Sequence, residues 1–151
     1  MPEDKFKEIN VNDEAEIFHT ITLQDVETFV KLTGDDNPLH VDDVFSAQTM
    51  LKRRIVHGML TASFISALIG TKLPGKGALW YEQHTRFLEP VHIGETIRVW
   101  ARVKKKSKAL RVLVLEIMVF SNGDRKVVEC EAKVKSILPQ KKRGITSDAA
   151  K

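Results

Sequence analysis

"HGMLTASFISALIG", residues 57–70, reads as a helix with apolar side chains on nearly every side. Beyond the histidine its polar groups are only the hydroxyls of Thr61, Ser63 and Ser66, and Gly58, Ala62, Ser63, Ser66 and Ala67 are small. A surface helix would carry a charged face, so this one is expected to be buried, with something else wrapped around it. The wrapping follows directly. "ALWYEQHTRFLEPV" (78–91), "ETIRVWARVKK" (95–105), "LRVLVLEIMVF" (110–120) and "KVVECEAKVKSIL" (126–138) all read as strands. Alternation is clearest in Ile97, Val99, Ala101 and Val103 and again in Val128, Cys130, Ala132 and Val134. Gly94 and "SNGD" (121–124) mark turns between them. One helix followed by four long strands is an α+β pattern, and it predicts a strongly curved antiparallel sheet wrapped around a long central helix.

Upstream, residues 1–12 are charged and weakly patterned, and are expected to form a flexible lead-in. A short strand is expected around residues 16–20. "TLQDVETFVKLTG" (22–34) begins with Thr22 three residues ahead of Asp25, a capping box, and ends at Gly34, a natural helix stop. "VDDVFSAQTML" (41–51) predicts a second short helix with Val44 and Ala47 facing inward. The expected organisation is one domain over residues 13–138, then a basic, disordered tail over 139–151.

The 151-residue chain is 42% hydrophobic and 29% charged, enough apolar material for one core. Its formal charge of +4 and pI near 9.2 suit anionic ligands such as phosphates or an acidic carrier protein. Nucleic acid fits poorly. Seven basic residues fall in "VKKKSK" (103–108) and "QKKRG" (140–144), with no interleaved aromatics and no zinc-finger or phosphate-loop spacing. Cys130 is the single cysteine, which excludes an intrachain disulfide. With no signal-peptide pattern and no apolar run long enough to span a bilayer, the expectation is a soluble, cytoplasmic protein. His19, His84 and His92 match no recognised zinc spacing, so no metal is expected. Trp80, Tyr81, Phe87 and Trp100 read as core or interface aromatics.

The chemistry-bearing types concentrate in "TGDDNPLHVDD" (33–43). Pro38 fixes its own φ and pushes Asn37 toward an extended backbone, so this loop has a defined shape. From residue types alone it has two readings. In one, the acids cap helices and His40 fills space. In the other, Asp35 and His40 form an acid–base pair that acts through one shared water. A second constellation, "RRIVHGML" (53–60), puts His57 and Gly58 at the mouth of the central helix, where first-turn N–H groups have no intrahelical partner. Gly58 either lets a substrate carbonyl approach those dipoles or only permits tight packing, and His57 reads equally as a neutral cap. Ser66, eight residues after Gly58, either faces a similar side or bonds back to the preceding turn.

Taken together, "LTGDDNPLHVDDVFSAQT", "IVHGMLTASFISALIG" and "FLEPVHIGETI" resemble the R-specific enoyl-CoA hydratases, the MaoC-like or hydratase 2 family, and the related hydroxyacyl-thioester dehydratases. The resemblance runs from about residue 21 to 138. It implies a hot-dog fold, a homodimer, no cofactor, and reversible syn addition of water to a trans-2-enoyl thioester, giving the (3R)-hydroxyacyl thioester. It also implies that Asp35 and His40 are catalytic, that Asn37 holds their geometry, that Gly58 N–H meets the thioester oxygen and that Ser66 supports the site. The chain departs from the family where Arg54, preceded by Arg53, stands in place of a frequent proline, and at Asp36. Arg53, Arg54, Lys72 and Lys76 are candidates to contact CoA phosphates or, equally, an acidic carrier protein. The expected substrate is a short to medium acyl-CoA; the alternatives are an acyl-carrier-protein dehydratase and a thioesterase of the same fold.

Overall fold

The computed structural model describes residues 4–138; the predicted tail, 139–151, lies outside the described residues. The elements run α1 (Lys5–Glu8), β1 (Glu14–Thr20), α2 (Leu23–Thr33), α3 (Pro38–Val41), α4 (Asp43–Ala47), α5 (Gly58–Thr71), β2 (Ala78–Phe87), β3 (Thr96–Ser107), β4 (Val112–Ser121) and β5 (Arg125–Ser136). The five strands make one antiparallel sheet in the order β1-β3-β4-β5-β2.

Alternation in the strands sorts the two faces. Ile97, Val99, Ala101 and Val103 of β3, Leu113, Leu115, Ile117 and Val119 of β4, and Val128, Cys130, Ala132 and Val134 of β5 are all buried. The opposite face carries ion pairs such as Arg102–Glu116 and Lys104–Glu131, with N···O distances of 2.6 and 2.7 Å. Leu60, Ile65, Leu68 and Ile69 of α5 join the same core. Burying each of these side chains contributes about 1.5–3 kcal/mol, which makes this contact the main stabiliser of the fold. The β4–β5 turn places Asn122 and Gly123 at φ of 47° and 95°, the left-handed backbone that the Asn-Gly pair favours.

Three expectations need correction. First, α5 is covered on one side only. Met59, Ser63, Ser66, Ala67 and Gly70, spaced as one helical stripe, are exposed, because a single five-stranded sheet cannot close round the helix. Second, the described part of the lead-in, residues 4–12, is docked: Phe6 and Ile9 are buried, and Lys106 and Arg111 lie 4.8 and 4.7 Å from the Phe6 ring. Arg111 also donates two hydrogen bonds to Asp4, which hold that carboxyl below its usual range. Third, the second helix is shorter than expected, with α4 covering only Asp43–Ala47, and Val44 and Ala47 face outward. Ser46 is buried in their place, its hydroxyl directed at the carbonyls of Pro38 and Leu39. No helix among the described residues is long and apolar enough to cross a membrane.

Candidate active site

Gly34, at φ 80°, ends α2 in the left-handed conformation and turns the chain into the acidic loop. Asp35 Oδ1 accepts from Asn37 N–H at 3.3 Å, and Asn37 Oδ1 accepts from Leu39 N–H at 3.1 Å, capping α3 with Pro38 at its first position. Asn37 thus shapes the turn between Asp35 and His40. The His40 ring is largely buried, and its Nδ1–H donates to Ile55 O at 2.8 Å. In the neutral ring this leaves Nε2 as the free lone pair.

From the other side, the chain enters α5 through His57, which is 2% exposed. His57 holds the N-cap position, yet its side chain makes no cap bond. It turns instead to the acidic loop. His57 Nε2–H donates to the main-chain carbonyl of Asp35 at 2.9 Å, and the ring stacks on His40 with centroids 3.8 Å apart and planes 28° apart. Asp35, His40 and His57 each offer one oxygen or nitrogen within 4.8 Å of the others. A water with two hydrogen bonds of about 2.8 Å spans about 4.6 Å between its partners, a separation that lies inside this limit. The same spacing admits a cation, and the hydrogen bonds above engage one nitrogen of each ring and leave the other free.

Gly58 opens α5, and its N–H has no acceptor among the described residues. It borders a mainly apolar cavity of about 360 Å³, lined also by Leu51, Val56, Thr61, Phe87, Pro90 and Val91. Phe87 is close: a Cβ at Gly58 would fall 3.0 Å from its ring. The far wall is tied down by Arg125, which donates to Glu89, Pro90 O and the buried Glu95.

The other expected site residues are dispersed. Ser66 is exposed in a separate groove of about 560 Å³ between α5 and β2, with Met59, Ser63, Trp80 and Tyr81, and no hydrogen bond joins it to Asp35 or His40. Arg54 Nε donates to Asp43 at 2.7 Å, and Arg53 lies 4.0 Å from Glu95. Lys72 caps the opposite end of α5, whose 14 residues span about 20 Å, and Lys76 follows it. The four basic residues therefore form two separated pairs.

Residues 6–119 match the family described as "MaoC like domain". The chain belongs to the MaoC-like family. Among its MaoC-like relatives, an (R)-specific enoyl-CoA hydratase of Rhodospirillum rubrum is 44% identical over 61% of this chain and 64% of that protein, so that match spans under two thirds of the relative. One from Aeromonas caviae is 35% identical over 84% of this chain and 95% of its own. The solved A. caviae (R)-hydratase involved in PHA biosynthesis superimposes with a TM-score of 0.82 at 36% identity, covering 87% of this chain and 98% of that one. The MaoC-like chain has the hot-dog fold. On the sequence, Asp35, Asn37, His40, Gly58 and Ser66 are the expected site residues, and His57 reads as a cap. Its position before Gly58 was visible, whereas its contact with a loop 22 residues upstream appears only on folding.

Proposed function

We propose that this chain is an (R)-specific enoyl-CoA hydratase, a cytoplasmic hydro-lyase that adds water reversibly to trans-2-enoyl-CoA to give (3R)-3-hydroxyacyl-CoA. The observation that carries the reading is that Asp35 and His40 offer side-chain atoms within 4.8 Å of each other, with the unpaired Gly58 N–H at the start of the neighbouring helix. In this mechanism Asp35 polarises the water and His40, through Nε2, handles its proton. The hydroxyl joins C3 and a proton joins C2 on the same face. Negative charge that builds on the thioester oxygen is met by Gly58 N–H and the helix dipole, a donor that acts on the transition state more than on the ground state. Asn37 holds the loop, and Ser66 supports the acyl side from the second groove. No cofactor enters the reaction.

The apolar cavity beside Gly58 lies toward the small end for ligand pockets, which supports short to medium acyl chains. Arg53 and Arg54 lie at the site's end of α5 and Lys72 and Lys76 at the other, so the proposal assigns CoA phosphates to one pair at a time. The exposed α5 stripe beside the open edge strand β2 supports a homodimer. The test is incubation with crotonyl-CoA, following loss of enoyl absorbance, free thiol and product chirality. A (3R)-product without thiol release is expected; thiol released at the rate of absorbance loss would point to a thioesterase. A tenfold or greater preference for the carrier-protein thioester would reassign the carrier.

A further inference from the structure

We infer that His57 is a positioning residue that joins Asp35 and His40 into one unit. The inference rests on the hydratase reading and adds a residue to it. Asp35 lies in a run of exposed residues, and its side chain is 53% exposed. Its other hydrogen bonds reach only Thr33 and Asn37, within its own loop. The bond from His57 Nε2–H is, among the described residues, the one hydrogen bond that ties Asp35 to another part of the chain. The same ring lies flat against His40 and is backed by Phe29, whose ring centre is 4.8 Å away. One rigid, buried imidazole therefore sets both partners of the water. It acts through Asp35 and His40, because Nε2 is spent on the carbonyl and Nδ1 is buried with no partner among the described residues. Displacement of a reacting group by about 1 Å can cost on the order of 10²-fold in rate, so this tie bears on turnover more than on substrate binding.

The experiment compares wild type, H57Q and H57F on crotonyl-CoA, with thermal unfolding of each. Gln keeps an N–H donor where Nε2 stood; Phe keeps the stacked ring without a donor. H57F is expected to lose about 10²-fold in kcat with KM within about threefold, and H57Q to stay within about tenfold of wild type in kcat. A folded H57F with kcat within about threefold of wild type overturns the inference. If H57F does not fold, nitrogen NMR of the labelled wild-type protein decides. A His57 Nε2–H coupled to the Asp35 carbonyl carbon supports the tie, and an Nδ1–H tautomer overturns it. Wild type inactive on enoyl-CoA with that coupling present removes the hydratase reading and leaves the structural tie standing, so the two failures are distinguishable.

Discussion

At the scale of single residues, Asp35 and His40 differ in surroundings: an exposed carboxylate above a largely buried imidazole. In the proposed mechanism, replacing either removes half of the water's coordination without touching the cavity, so D35N and H40A are each expected to lower kcat by about 10²-fold or more with little change in KM. Steady-state kinetics on folded variants checks this, and turnover at the wild-type level in both would remove the pair from the mechanism. Gly58 makes a different prediction. An added methyl there meets the Phe87 ring at 3.0 Å, so that half-exposed ring must shift to admit it. G58A should therefore melt below wild type, and the double variant G58A/F87L should recover part of that loss. Equal melting of G58A and wild type would show that the ring moves aside freely.

At the scale of elements, the parts legible in the sequence are those whose pattern is local. Strands β3 and β5 show their buried faces by simple alternation, and the capping box of α2 is present as read, with Thr22 Oγ1 accepting from Asp25 N–H at 3.1 Å and Asp25 Oδ2 accepting from Thr22 N–H at 2.8 Å. What was not legible depends on tertiary packing. A five-residue helix such as α4 has too few turns for a stripe, so Val44 and Ala47, expected inward, are exposed and Ser46 is buried. Phe6 finds its site only once β3 and the turn that follows it bring Lys106 and Arg111 to its ring. The capping box gives a pH-dependent prediction. Burial by itself pushes the Asp25 carboxyl up, but the Thr22 N–H, His19 and the Thr22 hydroxyl outweigh it and leave the group below its ordinary value of 3.8. A lowered carboxylate adds stability above its unfolded value and loses it as pH falls through the folded one. The urea midpoint of D25N should therefore lie below that of wild type at neutral pH, with the gap narrowing in acid. T22A should cost about 1 kcal/mol. A gap for D25N that is unchanged from pH 7 to pH 3 would mean that the carboxylate charge is not what the cap uses.

At the scale of the whole molecule, the order of Asp35, Asn37, His40 and Gly58 along the chain says nothing of how a site built from them is enclosed. Enclosure is a property of the fold's open side. The α5 stripe of Met59, Ser63, Ser66, Ala67 and Gly70 is mostly small or hydroxylic, which suits close approach of another backbone. Beside it, β2 is an edge strand with Leu79 and Tyr81 about half exposed, and its outer main-chain groups have no partner strand among the described residues. A second copy docked there would cover the stripe and close the groove that holds Ser66. Light scattering is expected to give twice the 17.1 kDa chain mass at assay concentrations. Because Ala67 is exposed in the single chain, A67E adds a buried charge only if the copies meet there. It should therefore shift the mass toward the monomer and lower turnover together, while Cys130, buried and with its thiol pushed up by that burial, stays unreactive to thiol reagents as a sign that each chain remains folded. An A67E protein that keeps twice the chain mass would place the contact between copies elsewhere. A fully active A67E monomer would show instead that one chain encloses its own site.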